Sequence, residues 1–262
     1  MPRLAAISLY PMKSCTGQPV STAVVLSTGA LQHDRQFALR DAGGRFWNAK
    51  RTPMFHRWRT WLAVERRVLT LRDADREWAW HLDRDRAAVE SWFAERLGEP
   101  VRLDEDPRGG FPDDTAAPGP TVISTATLEA VAGWFPTLTV DDVRQRFRAN
   151  LEIDGVDPFW EDRLYGPAGS VRPLRVGGVV WCGVNPCQRC VVPSRDPMTG
   201  EPLPGFQKVF SERRAATLPE WAPATRFDHF YRLAVNTRLL SGAGHTIAVG
   251  DSVELGAMLL AD

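Results

Sequence analysis

Between Ala5 and about Val101 the chain never holds one apolar pattern for long. AAISLYPM, VSTAVVLSTGAL, RQFALRDAGGRFWN and RTWLAVERRVLTLRDADREWAW are short β-rich runs, each cut off by a turn signal. Interruption at this spacing predicts a compact β barrel or sandwich. RDAGGRF, Arg40 to Phe46, predicts a hairpin, with Gly43-Gly44 supplying the positive φ angles that a tight two-residue turn requires. One stretch breaks the pattern. In RDRAAVESWFAERLG, residues 84 to 98, Val89, Trp92, Phe93 and Leu97 fall on one helical face and Gly98 stops the helix.

Residues 104 to 120, DEDPRGGFPDDTAAPGP, combine acids, Gly and Pro with few apolar anchors and read as an exposed connector. Beyond it, TVISTATLEAVAGWF predicts a strand, a Ser/Thr cap and an amphipathic helix, and VDDVRQRFRANLEIDG ends in a strand. LRVGGVVWCGV and HTIAVGDSVELGAMLL return to β character. The expected fold class is mostly β with a few helices. The expected domains are an N-terminal β-barrel-like unit over residues 1–110 and a second β-rich unit over residues 111–262. The tryptophans are scattered, and most are assigned to the core.

Lys plus Arg and Asp plus Glu both total 32, so bulk charge gives no reason for nucleic-acid or membrane attraction. The opening MPRLAAISLYPMKS lacks a long apolar core and a cleavage-like site, and no run approaches the roughly 18 apolar residues of a spanning helix. The expectation is a cytoplasmic protein with no nucleic-acid or membrane partner. Four cysteines are too few for a disulfide scaffold, and three of them lie between residues 182 and 190, which points to a local site.

Several donors suited to an anion recur along the chain. Lys13 and Ser14 follow a proline bend in LYPMKSCTG, where side chains and free backbone N–H groups can face a phosphate. Arg35 in HDRQFAL, Arg51 in AKRTPMF, and Arg148 with Asn150 in RFRANLEI add further donors, and guanidinium binds phosphate bidentately. Each alone also fits a solvated loop or a surface ion pair. Cys187 and Cys190 form a C-x-x-C in NPCQRCVVP. Structural zinc needs four ligands, and only Cys182 is near, with no histidine in the segment. A redox dithiol prefers its first cysteine at a helix start, whereas Pro186 precedes this one. A buried structural cysteine remains the plain alternative. Asp196, Pro197 and Gly200 in RDPMTGE predict a tight scaffolding turn.

Taken in order, K-S, D-R, R-x-x-P, R-x-N and C-x-x-C-V-V-P-x-x-D-P-x-T-G-E resemble the MOSC family, in which an N-terminal β-barrel module precedes a β-barrel MOSC domain. Its best-understood members, the mitochondrial amidoxime-reducing component and bacterial relatives, bind the pterin molybdenum cofactor (molybdopterin) and reduce N-hydroxylated compounds. Others are linked to sulfur transfer, and the family also carries an association with pyridoxal phosphate binding. The resemblance implies that Lys13, Ser14 and Arg35 hold the cofactor's pterin and phosphate, with Arg51, Arg148 and Asn150 adding donors. Ser124 and Thr125 match a position near the cofactor, although Ser124 also reads as a plain N-cap.

A soft thiolate suits molybdenum, so the resemblance implies Cys190 as metal ligand and Cys187 as its catalytic neighbour. No cysteine follows Cys190, which leaves a neighbouring sulfur or no protein thiolate as alternatives. The implied activity is reduction of a small N-oxygenated substrate with electrons from a separate electron-transfer protein, since no fused iron–sulfur motif is present. Two alternatives stand beside it. One is a sulfur carrier with a persulfide on Cys187 or Cys190, where Arg189 and Arg195 would favour a thiolate; the other is a cofactor-binding protein without turnover.

Overall fold

The first strand, Arg3–Leu9, buries Leu4, Ile7 and Leu9, and a register shift between Leu4 and Ala6 adjusts its alternation. Its partners are Gln18–Val20 on one side and, far along the chain, Leu151–Asp154 on the other, both antiparallel. This is a computed structural model, and it describes residues 1–260. The resulting sheet has eight strands, ordered Val253–Leu255, Pro173–Val176, Val179–Gln188, Arg232–Ser241, Val122–Ser124, Leu151–Asp154, Arg3–Leu9 and Gln18–Val20. Val122–Ser124 and Leu151–Asp154 run parallel, because the helices Thr125–Ala132 and Val140–Phe147 supply the crossover between them.

The fold is mostly β, as the interrupted apolar pattern implies. Packing nevertheless crosses the expected boundary near residue 110. Leu4, Ile7, Leu9, Ala23, Val25 and Leu31 share one core with Val122, Leu174, Trp181 and Val235. A second core belongs to residues 12–103 and gathers Trp58, Trp92 and Phe93 between the strands and the helix Arg86–Leu97. That helix ends as its sequence predicts, with Gly98 at φ 76° closing a bond to the Ala94 carbonyl. In the RDAGGRF hairpin only Gly44 takes a positive φ; Gly43 does not. Trp61 and Trp221 are exposed rather than core.

The third core surrounds a helix with no forecast in the sequence reading, Phe206–Ala216, whose Phe206 and Phe210 pack against Phe135, Phe147 and Tyr231. Residues 104–120 are not a free linker. Phe111 N donates to the Arg35 carbonyl, Gly119 N donates to the Thr237 carbonyl, and a Cβ on Gly119 would lie 2.7 Å from that same oxygen. The connector is thereby pressed against both halves of the chain. Among the described residues no helix is long and apolar enough to cross a membrane.

Candidate functional site

A cleft of about 880 Å³ opens where the loop after the first strand, the connector, the end of Val140–Phe147 and the Asn185–Val192 segment meet. Lys13, Ser14, Arg35, Arg148, Asn150, Cys187 and Cys190 all line it. Residues separated by up to 177 positions in sequence therefore share one surface. Seven Lys and Arg face three Asp there, although the whole chain is neutral.

The loop LYPMKSC is pinned to the strand Phe37–Asp41, since Lys13 N donates to the Phe37 carbonyl at 2.8 Å. This turns the Lys13 side chain inward. Its Nζ, 6% exposed as a residue, donates to the Phe111 carbonyl at 2.8 Å and to Asp113 Oδ1 at 2.5 Å. Burial lowers the Lys13 pKa and the Asp113 charge opposes that shift. Burial alone would raise the Asp113 carboxyl, but the Lys13 ammonium holds it well below the usual carboxylate range.

Arg35 is paired with Asp34, which also accepts from Tyr10 N at 2.8 Å. Burial works against the charged guanidinium, yet Asp34, with Asp113 and Tyr10 adding to it, more than offsets this, so the Arg35 pKa is raised. Asn150 is 2% exposed and acts as a clasp: its Nδ2 donates to the Ser8 carbonyl at 2.9 Å, and its Oδ1 accepts from Thr121 N at 3.2 Å and Arg35 Nη1 at 3.3 Å. Arg148 donates through Nη2 to the Cys15 carbonyl at 2.5 Å and stacks on Tyr10 at 4.4 Å. Burial lowers its pKa. Ser14, Arg35 and Arg148 all hold positive φ, at 71°, 50° and 55°. L residues pay for that conformation, and such positions concentrate at functional sites.

Cys187 and Cys190 are free thiols, each half-buried in the cleft wall. Arg189 between them donates through Nη1 to Cys187 Sγ at 3.1 Å and through Nη2 to the Phe147 carbonyl at 2.6 Å. Its Nε is buried without a partner among the described residues. Arg195 turns elsewhere, donating to the Ala49 carbonyl at 2.5 Å. The Asp196 turn forms as its sequence predicts, with Oδ1 accepting from Met198 N and Thr199 N at 2.8 and 2.9 Å.

The structure does not bring Ser124, Thr125 or Arg51 to this cleft. Ser124 is fully buried and caps Thr125–Ala132 by accepting from Thr127 N. Thr125 donates to Glu152 at 3.0 Å. Arg51 bonds Asp41 at 2.9 Å and stacks on Trp47 at 3.8 Å, away from the opening. Sequence reasoning missed Asp113 as a wall residue. It sits in the Gly/Pro/acid connector, and nothing local signals a contact to a lysine a hundred positions earlier.

Among the described residues no group of three or more His, Cys, Asp or Glu could hold a metal ion. A metal here would have one or two cysteine sulfurs from the chain and would take its other ligands from its own cofactor. The donor set fits a phosphate-bearing cofactor, because the cleft carries a surplus of cations and Arg189 Nε is a buried donor still unpartnered.

Residues 1–90 match the MOSC N-terminal beta barrel domain and residues 121–254 match the MOSC domain. The chain belongs to the MOSC domain family. It is also similar to the molybdenum cofactor sulfurase of Oryza sativa subsp. japonica, 26% identical over 239 residues, covering 71% of this chain and 27% of the relative. The molybdenum cofactor sulfurase of Caenorhabditis elegans is 26% identical over 114 residues, covering 44% of this chain and 14% of the relative. The chain thus spans about a quarter or less of the length of these curated relatives.

Proposed function

We propose that the chain binds the molybdenum cofactor in the cleft and reduces N-hydroxylated compounds with electrons delivered by a separate protein. The observation that carries this reading is the meeting of Lys13, Ser14, Arg35 and Arg148 with Cys187 and Cys190 around one 880 Å³ cleft. The names of the curated relatives support the cofactor. Lys13, Ser14 and Arg35 would hold the phosphate, Arg148 would lie along the pterin, and Cys190 or Cys187 would meet the metal. When bound, the cofactor supplies the redox chemistry, while the chain holds it and admits substrate. The test is purification from a host that makes the cofactor, with molybdenum measured per chain and pterin fluorescence after oxidation. Stoichiometric metal with N-hydroxy reduction supports the reading; only trace metal and no pterin overturn it.

A second reading is favoured by the contact between Arg189 and Cys187. A sulfur held at a cation-lined opening could take a sulfane sulfur from a donor persulfide, the Cys187 sulfur forming the new S–S bond as the donor leaves as a thiol. The relatives' names fit this equally. Mass spectrometry after incubation with a cysteine desulfurase and cysteine would show one added sulfur on the Cys187 peptide. An unchanged mass rejects this second reading.

A further inference from the structure

Behind the cleft lies a second cavity of about 340 Å³, between the N-terminal core and the helix Val140–Phe147. The two cavities share Ser14, Arg148 and Val192 as a common wall, but Lys13, Arg35 and the cysteines line only the cleft. Five arginines and one aspartate line the second cavity. Arg144 is neutralised by Asp141 and Glu152. Arg146 is 4% exposed, gives Nη1 to the Pro193 and Arg195 carbonyls, and comes only within 3.9 Å of Asp196. Its Nε is buried with no partner among the described residues. Arg59, Arg148 and Arg195 have no carboxylate within 4 Å among the described residues.

Burial lowers the pKa values of Arg59, Arg146 and Arg148, the mark of cations short of counter-charge. His56 lies on the same wall, and burial with Arg148 and Arg195 pushes its pKa down to about 4, so it stays neutral near pH 7. The remaining wall mixes the apolar Phe55, Pro19, Val192 and Pro197 with Tyr10 and the polar Ser8, Thr16 and Gln145. Tyr10 and Phe55 both belong to the lining, and Gly17 lets Tyr10 lie so close that a Cβ there would be 2.4 Å from the ring. A structural ion network would close these charges with carboxylates; an open cavity of ligand size leaves them for something else.

We propose that this second cavity is a binding site for a small aromatic carboxylate, its ring against the lining of Tyr10, Phe55 and Val192 and its carboxylate received by Arg59, Arg146 and Arg195. Planar guanidinium groups match a carboxylate two bonds at a time, and the volume admits about a one-ring molecule. The site does not depend on the cleft's cofactor.

The test is calorimetric titration of the full chain with benzoate, with neutral benzamide and with inorganic phosphate. Benzoate should bind at one saturable site, with benzamide and phosphate each weaker by about tenfold or more. Arg59 makes no side-chain hydrogen bond among the described residues, so Arg59→Gln should leave the melting temperature unchanged and weaken benzoate by about fivefold or more. Arg59→Lys, which keeps the charge and loses the fork, should fall between. Lys13→Ala, in the cleft, should leave benzoate affinity unchanged. Loss of benzoate binding in Lys13→Ala with none in Arg59→Gln would put the anion in the cleft and overturn the proposal. Equal binding of benzamide, or no saturable binding of benzoate, would overturn it as well.

Discussion

Arg148 ends the helix Val140–Phe147 in the left-handed region, at φ 55° and ψ 42°, a position where glycine is the common choice. Replacing it by Ala and by Gly separates what its backbone costs from what its side chain does. Both variants lose the hydrogen bond to the Cys15 carbonyl and the stack on Tyr10, so those terms cancel between them. An L residue in this conformation costs about 1–2 kcal/mol relative to the right-handed form. Glycine forfeits about 0.5–1 kcal/mol through its greater freedom in the unfolded chain. Arg148→Gly should therefore be more stable than Arg148→Ala by about 0.5–1 kcal/mol, a midpoint difference of about 2 °C for a chain of this size. Urea denaturation and calorimetry of the two variants in one buffer measure it, and pterin content after expression in a cofactor-making host reads the side chain. Stability should differ while cofactor retention falls equally in both. If Ala proves at least as stable as Gly, the backbone at Arg148 is not strained; if either variant keeps full cofactor, its guanidinium is not a holder.

Lys13→Ala should remove a charge-assisted contact of about 1.5–3 kcal/mol and cut cofactor retention by about tenfold or more. Asp113→Asn should do the reverse for inorganic phosphate titrated into the full chain, by about threefold to tenfold, because it frees Lys13; weaker phosphate binding in that variant would show that Asp113 builds the site instead. If Cys190 meets the metal, Cys190→Ser replaces a soft sulfur by a hard hydroxyl and should abolish N-hydroxy reduction, with Cys187→Ser less severe; equal loss at both with normal metal content refutes that assignment. Glu161, fully enclosed beside Asp162, has its pKa raised from 4.5 to about 7. A raised carboxyl stabilises fully below its unfolded pKa and loses that contribution as pH climbs through the folded value. Glu161→Gln should thus gain on the parent between pH 4.5 and pH 7, by at most about 3 kcal/mol. A parent-to-variant difference that does not change with pH in chemical denaturation would contradict this.

The sequence reveals what depends on neighbours in the chain and hides what depends on distant ones. The helix ending at Gly98, the Asp196 turn and the β character of both halves are legible because periodicity and turn residues act locally. The helix Phe206–Ala216 was not, since its apolar residues face an aromatic cluster of Phe135, Phe147 and Tyr231 from three other segments. Ser14, Arg35 and Arg148 were legible as donors through motif order, yet nothing in the letters says that all three take left-handed backbone. Ser124 and Thr125 illustrate the opposite error. A Ser/Thr pair at a strand-to-helix step serves the cap equally well, and here Ser124 is the cap. Cys187 could be seen as a cysteine, but its guanidinium partner could be fixed only by the anchor that Phe147 gives Arg189.

The carboxylates of the cleft explain how so many cations can face one opening. Lys13 and Arg35 are each paired, but the two partners differ in what holds them. Asp34 is 10% exposed as a side chain and also accepts from Tyr10 N, so moving it would break the loop that presents Arg35. Asp113 is 67% exposed and stands on the connector, where Lys13 is its strongest tie and Lys50 comes only within 3.9 Å. A phosphate bound as proposed would compete with Asp113 for Lys13 and leave Asp34 in place. Before that exchange, the pair spares the fold an unmatched buried ammonium, which would cost several kcal/mol on the order-of-magnitude scale for buried ions. The acidic connector between the family's two matched domains therefore supplies the counter-ion of Lys13, the one that the proposed anionic group would have to replace.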